Sequence, residues 1–259
     1  MQYERYATGD TPALIVYLID ISSSMEEELS QGVKKIDAVH QAIDRVVKRM
    51  VRRSMKGEEI SRRYRLAMLA YEDNKIDVFN GVQFIGDVVK NKAPRFQPAG
   101  RTNTAAAFTW ARDLIERELP QMKHCPPPII CHLTDGQFNE GSDPEPIARE
   151  IMNMGNDDGK VLIENIYFGP SAAAGYSASD PKNWTGIKDA ASLSDPYAQA
   201  LVRMSSPFPD RYMEVISEDK YKVAAGSAMF IPASNEGLLE LAFVMSNTTP
   251  IQPSASLIA

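Results

Sequence analysis

The sequence predicts an α/β protein with a doubly wound, mainly parallel sheet and helices on both faces, on three observations. Apolar runs of strand length, such as residues 13–19 (ALIVYLI) and 129–134 (IICHLT), carry no charge, as strands buried on both faces require. Between such runs lie longer segments whose apolar residues recur at helical spacing. Strands that alternate with helices imply right-handed crossovers and a parallel sheet.

The elements follow in order. Residues 1–12 read as an N-terminal extension, and the first strand ends at Asp20. From Val33 the series Ile36, Val39, Ile43, Val46 and Met50 predicts a long amphipathic helix. Glu26, Glu27 and Glu28 are expected in its early turns, and Lys48, Arg49, Arg52 and Arg53 at its end. Both clusters then oppose the helix dipole from a solvated surface. Arg65–Tyr71 and Ile76–Phe79 read as two strands joined by the turn-like tetrad Glu72 to Lys75. Thr104 to Leu119 is a second amphipathic helix. Three prolines at 126–128 then break the chain before the IICHLT strand, which ends at Asp135-Gly136. Pro144 to Met154 reads as a helix with proline in its first turns, and Val161–Phe168 as a further strand.

Residues 169–196 lack periodicity and read as a loop or insertion. A short helix is expected near Tyr197–Met204, strand pieces at Tyr212–Ile216 and Ala228–Ile231, a helix at Glu236–Met245, and a tail over 248–259. No second core is visible, so residues 13–247 form one domain.

Among 259 residues, 44% are hydrophobic and 24% charged, an ordinary globular balance. A net charge of −6 and a pI near 5.2 exclude a general binder of nucleic acid or anionic membrane, which needs a basic field. The apolar run at 13–19 is too short to span a bilayer. The first residues show no secretion pattern, so a cytoplasmic location with Cys125 and Cys131 as reduced thiols is expected.

Three remote segments place oxygen-bearing side chains just beyond a buried element: Asp20-Ile21-Ser22-Ser23-Ser24, Gly100-Arg101-Thr102-Asn103-Thr104, and Thr134-Asp135-Gly136. In a parallel sheet the carboxyl ends of the strands share one edge, where ligands bind. Two carboxylates and three hydroxyls would meet there. Hard oxygens with few charges suit Mg²⁺, with Mn²⁺ or Ca²⁺ as alternatives. No Cys–His spacing suggests zinc and no EF-hand loop is present.

The Asp-x-Ser-x-Ser run, the Gly-x-Thr-x-Thr turn and the Thr-Asp-Gly run, in that order, resemble the metal-ion-dependent adhesion site (MIDAS) of von Willebrand factor A domains. The likeness is good over residues 11–170 and loose beyond. It implies that Ser22, Ser24 and Thr102 are hydroxyl ligands and that Asp20 and Asp135 act directly or through water. It also implies a protein-binding module that grips a partner's Asp or Glu through the ion. Ser23 departs from the glycine frequent at that position, and Thr104 competes with Thr102 as the ligand. The runs VYLIDISSSM, AGRTNTAAAF and HLTDG are similar to those of bacterial cytoplasmic TerY-like proteins. That similarity implies a stress-response or defence adaptor whose partner is an AAA+ ATPase, a kinase or a phosphatase.

Two other classes compete. A Mg²⁺-dependent phosphoryl-transfer enzyme could use Asp20 as nucleophile, but Ser22 stands where a second acid is wanted, and no P-loop or nucleophile elbow occurs. His40, His124 and His132 form no catalytic pattern, and His132 reads as a packed, hydrogen-bonded core residue. A metal-free scaffold is the third class, which the intact motif disfavours; the expectation is a protein without catalysis. Two geometric expectations complete the picture. The 169–196 loop should border the metal edge, and the basic stretch from Lys48 to Arg65 should lie at the opposite edge.

Overall fold

The strand β1 (Ala13–Asp20) is buried along its whole length, so its uninterrupted apolar run belongs at the centre of a sheet. The computed structural model describes residues 2–30, 32–90, 94–170, 180–233 and 236–246. The expected tail at 248–259 and part of the expected loop, residues 171–179, lie outside the described residues.

After β1 come α1 (Lys35–Ser54), β2 (Tyr64–Tyr71), the short strands β3 (Lys75–Asp77) and β4 (Gln83–Phe84), and α2 (Thr104–Glu118). Then follow β5 (Ile129–Thr134), α3 (Glu145–Asn153), β6 (Leu162–Tyr167), α4 (Pro196–Arg203), α5 (Asp210–Glu218), β7 (Phe230–Pro232) and α6 (Glu236–Ser246). Among the described residues the main sheet has the order β7-β6-β5-β1-β2-β3, with β4 also paired to β2. Its five central strands, β7, β6, β5, β1 and β2, are joined by four parallel pairings; β3 and β4 run antiparallel to β2. The chain leaves β1 for β2 on one side and later returns to β5 on the other. The order therefore reverses between β1 and β5. The carboxyl ends of these two strands flank the crevice that such a reversal opens.

α1 buries Ile36, Val39, Ile43, Val46 and Met50, one stripe at the spacing a helix demands. It runs from the carboxyl edge to the amino edge, where the Ser61 amide donates to Ser54 and the Ala13 amide to Arg63. The basic residues near its end therefore sit away from the carboxyl edge.

Three expectations are corrected. Glu26, Glu27 and Glu28 precede the helix: Ser23–Glu26 form a 3₁₀ turn, and Glu28–Ser30 pair with Val33–Lys34 in a small hairpin. Gly32, with φ of +80°, supplies the left-handed backbone this reversal uses. Only Asp37 serves the dipole in the first turn of α1. Tyr212–Ile216 is helical, not extended. Tyr212 and Ile216, four apart, share the buried face of α5, and Pro209 caps its start. The described part of the loop is also more ordered than its composition suggests. Asp180 and Asp189 each cap a 3₁₀ turn, and Trp184, Ile187 and Leu193 are buried.

Candidate metal centre

Asp20 is the last residue of β1 and has no exposed surface. Its Oδ1 accepts from the Ser22 amide at 2.9 Å and its Oδ2 from the Thr134 hydroxyl, at the end of β5, at 2.7 Å. The 3₁₀ turn over Ser23–Glu26, anchored by buried Met25, brings the Ser22 and Ser24 hydroxyls to 3.2 Å of each other. The next segment is stitched to this turn by backbone: Ala99 donates to the Ile21 carbonyl at 2.8 Å and Ser23 to the Gly100 carbonyl at 3.1 Å. On its far side, the Asn139 side chain accepts from the Thr102 amide at 3.0 Å, and the Asn139 and Glu140 amides both donate to the Thr102 carbonyl at 3.2 Å. Thr102 is thus buried between the first segment and the chain just beyond Asp135.

The competing hydroxyl, Thr104, lies 3.4 Å from the Tyr71 hydroxyl within the interior. Asn103 caps α2 by accepting from the Ala106 amide at 3.1 Å. Gly136 closes the third segment at φ +82°; a Cβ there would meet Tyr167 and Tyr197 at 3.1 Å.

Asp135 accepts from the Gln137 amide at 3.3 Å and, through Oδ2, from the Lys35 ammonium at 2.9 Å. Lys35, at the first turn of α1, is 7% exposed and donates also to Glu27 at 2.7 Å. Burial pulls its pKa down, but the carboxylates of Glu27 and Asp135 outweigh that and leave it above the ordinary lysine value. Burial lifts Asp20 to about 6; the Ser22 and Thr134 hydrogen bonds oppose the rise and the nearby Asp135 charge adds to it.

Behind the carboxylates runs a buried polar chain. The Tyr71 hydroxyl sits 2.6 Å from His132 Nε2, and His132 Nδ1 lies 2.7 Å from Asn165 Oδ1. The Asn165 amide nitrogen donates to the Leu201 carbonyl and the Ser205 hydroxyl. Its oxygen is therefore the atom facing His132, which makes Nδ1 the protonated nitrogen and Nε2 the acceptor from Tyr71. Full burial holds His132 neutral, with a pKa lowered to about 4 and the Asn165 bond opposing the drop. His132 is a packed core residue, as the sequence suggested.

Every residue expected at the site is at the carboxyl edge. Ser22 contacts both Asp20 and Ser24, Asp135 acts electrostatically on Asp20, and Thr102 is held between the outer segments. Among the described residues no group of three or more His, Cys, Asp or Glu could hold a metal. The donor set is two carboxylates and hydroxyls, which fits a hard cation and lacks the ligands zinc prefers. Sequence reasoning missed Lys35 and the supporting role of Thr134. Thr134 was visible in the Thr-Asp-Gly run, whereas nothing local marked Lys35 among the other basic residues.

At the end of the 169–196 segment Asp195 accepts from the Tyr167 hydroxyl at this edge, and just beyond the segment, in α4, the Tyr197 ring meets Phe138 edge-on at 5.2 Å. The middle of the segment does not reach this edge. Ile187 bridges to Ala228, ahead of the start of β7, towards the amino end of the sheet.

Residues 15–137 match the von Willebrand factor type A domain. The A-domain match begins inside β1 and ends just after Gly136, so it contains all three segments of the site. Solved structures with the same fold include the pilus adhesin SpaC from Lactobacillus rhamnosus GG, with 12% identity and a TM-score of 0.57 over 95% of this chain and 31% of that one. The PilB minor pilin from Streptococcus sanguinis is 11% identical, with a TM-score of 0.53 over 92% of this chain and 61% of its own. Proximal thread matrix protein 1 from the mussel byssus, solved with a zinc-occupied MIDAS motif, is 16% identical, with a TM-score of 0.51 over 93% and 47%. The chain thus spans less than two thirds of each of these structures. No curated protein matches it by sequence. No helix of the described residues is long and apolar enough to cross a membrane.

Proposed function

We propose that this A-domain is a metal-dependent protein-interaction module whose Asp20, Ser22, Ser24, Thr102 and Asp135 hold Mg²⁺. The observation that carries the reading is the backbone stitching of three remote segments, which gathers two acids and three hydroxyls at the reversal point of the sheet. The mussel protein's zinc-occupied MIDAS motif, on a similar fold, supports a metal at this kind of site. When bound, the ion supplies a positive charge that a partner's Asp or Glu can reach. Ser22, Ser24 and Thr102 contribute no charge, so the ion stays under-neutralised and keeps affinity for an outside carboxylate. Around the site, the Phe138–Tyr197 pair and the exposed Arg101–Glu140 ion pair form a rim that can select among partners.

Binding fits better than phosphoryl transfer. Asp20 is held from both sides by Ser22 and Thr134, and no second acid stands two residues on. Cys125 and Cys131, both buried and not joined in a disulfide, suit a reducing compartment. They accord with a cytoplasmic adaptor, and the TerY-like runs VYLIDISSSM, AGRTNTAAAF and HLTDG favour an AAA+ ATPase, kinase or phosphatase partner in a bacterial stress-response or defence system. Calorimetric titration with Mg²⁺ and Mn²⁺, on wild type and on the Ser22→Ala/Ser24→Ala variant, tests the metal. Saturable binding lost in the variant supports the proposal, whereas no binding by wild type favours a scaffold. Phosphate release from a general phosphatase substrate, abolished by Asp20→Asn, would favour the enzyme.

A further inference from the structure

We propose that Lys35 is a resident cation of the metal centre, a tethered ammonium that sits on Asp135 in place of the divalent ion and swings to Glu27 when the ion binds. The inference rests on the metal reading above and concerns what sets its affinity.

Lys35 joins two carboxylates of opposite character. Asp135 is buried, and its Oδ2 is 2.9 Å from the ammonium; Glu27 is 62% exposed at the mouth, and its Oε2 is 2.7 Å away. Without a cation, Asp20 and Asp135 would place two like charges in a dry crevice, an arrangement low dielectric punishes. The ammonium offsets one of them. A divalent ion that uses Asp135 must therefore share that carboxylate with Lys35 or displace it. Displacement is easy to accommodate, because Glu27 already holds the same nitrogen and the four-carbon stem can turn within the first helical turn. Two consequences follow. The metal binds less tightly than its oxygen ligands alone would dictate, so loading is reversible. Once loaded, the site carries the lysine charge in addition to the ion's, which strengthens its pull on an acidic partner. Lys34, paired with exposed Glu26 on the neighbouring hairpin, has no such role.

The competition predicts effects of opposite sign at the two ends of the bridge, measured by Mn²⁺ titration with calorimetry and thermal melts on the whole chain. Lys35→Met should bind Mn²⁺ about tenfold more tightly than wild type, as expected for loss of a unit charge at contact distance. Its metal-free melting temperature should fall. Glu27→Gln should bind Mn²⁺ several-fold more weakly, because the ammonium is left to Asp135 alone. Lys35→Gln, which keeps a hydrogen-bond donor without the charge, serves if the methionine variant fails to fold, and should also tighten binding. Unchanged or weaker Mn²⁺ binding by a folded Lys35 variant, beside a wild type that binds, overturns the inference and leaves the metal reading intact. Absence of binding by wild type and both Lys35 variants removes the metal reading and this inference together.

Discussion

The end of β1 and the middle of β6 each bury a carboxyl group completely, and the two are treated very differently. Asp20 receives an amide and a hydroxyl, and its pKa rises only to about 6. Glu164, facing Cys131 across the β5–β6 pairing, has no nitrogen or oxygen donor on either carboxylate oxygen, and burial pushes it to about 8, opposed only by the weakly donating thiol. Burial alone thus makes a neutral acid, whereas burial with donors aimed at the oxygens keeps a carboxylate ready for a cation. That difference separates the candidate metal centre from the core.

The comparison can be broken most severely at the hydroxyls. Ser22→Ala/Ser24→Ala should lower Mn²⁺ affinity by at least about 10–100-fold, the loss that removing even a partner one step outside the ligands causes, while the chain stays folded. Titration calorimetry reads it, and retained binding would remove these groups from the shell.

Glu164→Gln tests the other half. The folded pKa lies above the ordinary 4.5, so the protonated form supports the fold. That stability is complete below about pH 4.5 and is lost as pH rises through about 8. Urea unfolding between pH 6.5 and 9 should show wild type losing on the order of a few kcal/mol and the glutamine variant staying flat. Parallel profiles would mean Glu164 is ionised in the fold. Working above pH 6.5 keeps His132, lowered to about 4, from contributing; its own loss of stability falls on the acid side.

Thr134→Val makes Asp20 resemble Glu164 by removing a donor, and it also strips the Gly136 amide of its acceptor. A cost of about 1–3 kcal/mol is expected by chemical denaturation, together with a further rise in the Asp20 pKa observable by NMR titration. As the small reference, Lys48→Ala/Arg52→Ala on the exposed face of α1 should shift stability by no more than about 0.5 kcal/mol, measured the same way. A larger loss would show that these charges are engaged.

Much of this was legible in advance. The ends of β5, α2 and α4 fall within a residue or two of where apolar periodicity put them, because burial on both faces of a strand or along one stripe of a helix leaves an unambiguous pattern. Tyr212–Ile216 was not legible, since a short apolar cluster fits either period until a helix start at Pro209 decides it. Nor was the start of α1, where Lys34 and Lys35 pair with Glu26 and Glu27 in a hairpin and turn that charge patterning alone assigned to the helix.

For the site, the motif-bearing segments and their oxygen chemistry were properties of the sequence by itself. So was their common edge, because parallel strands must end on the same side. Which hydroxyl faces inward, which threonine supports Asp20, and the presence of a lysine on Asp135 were decided only by the tertiary structure. Those facts depend on contacts between residues 100 or more positions apart, set by the register of β1 against β5 and the placement of α1, and no local pattern encodes a distance of that kind.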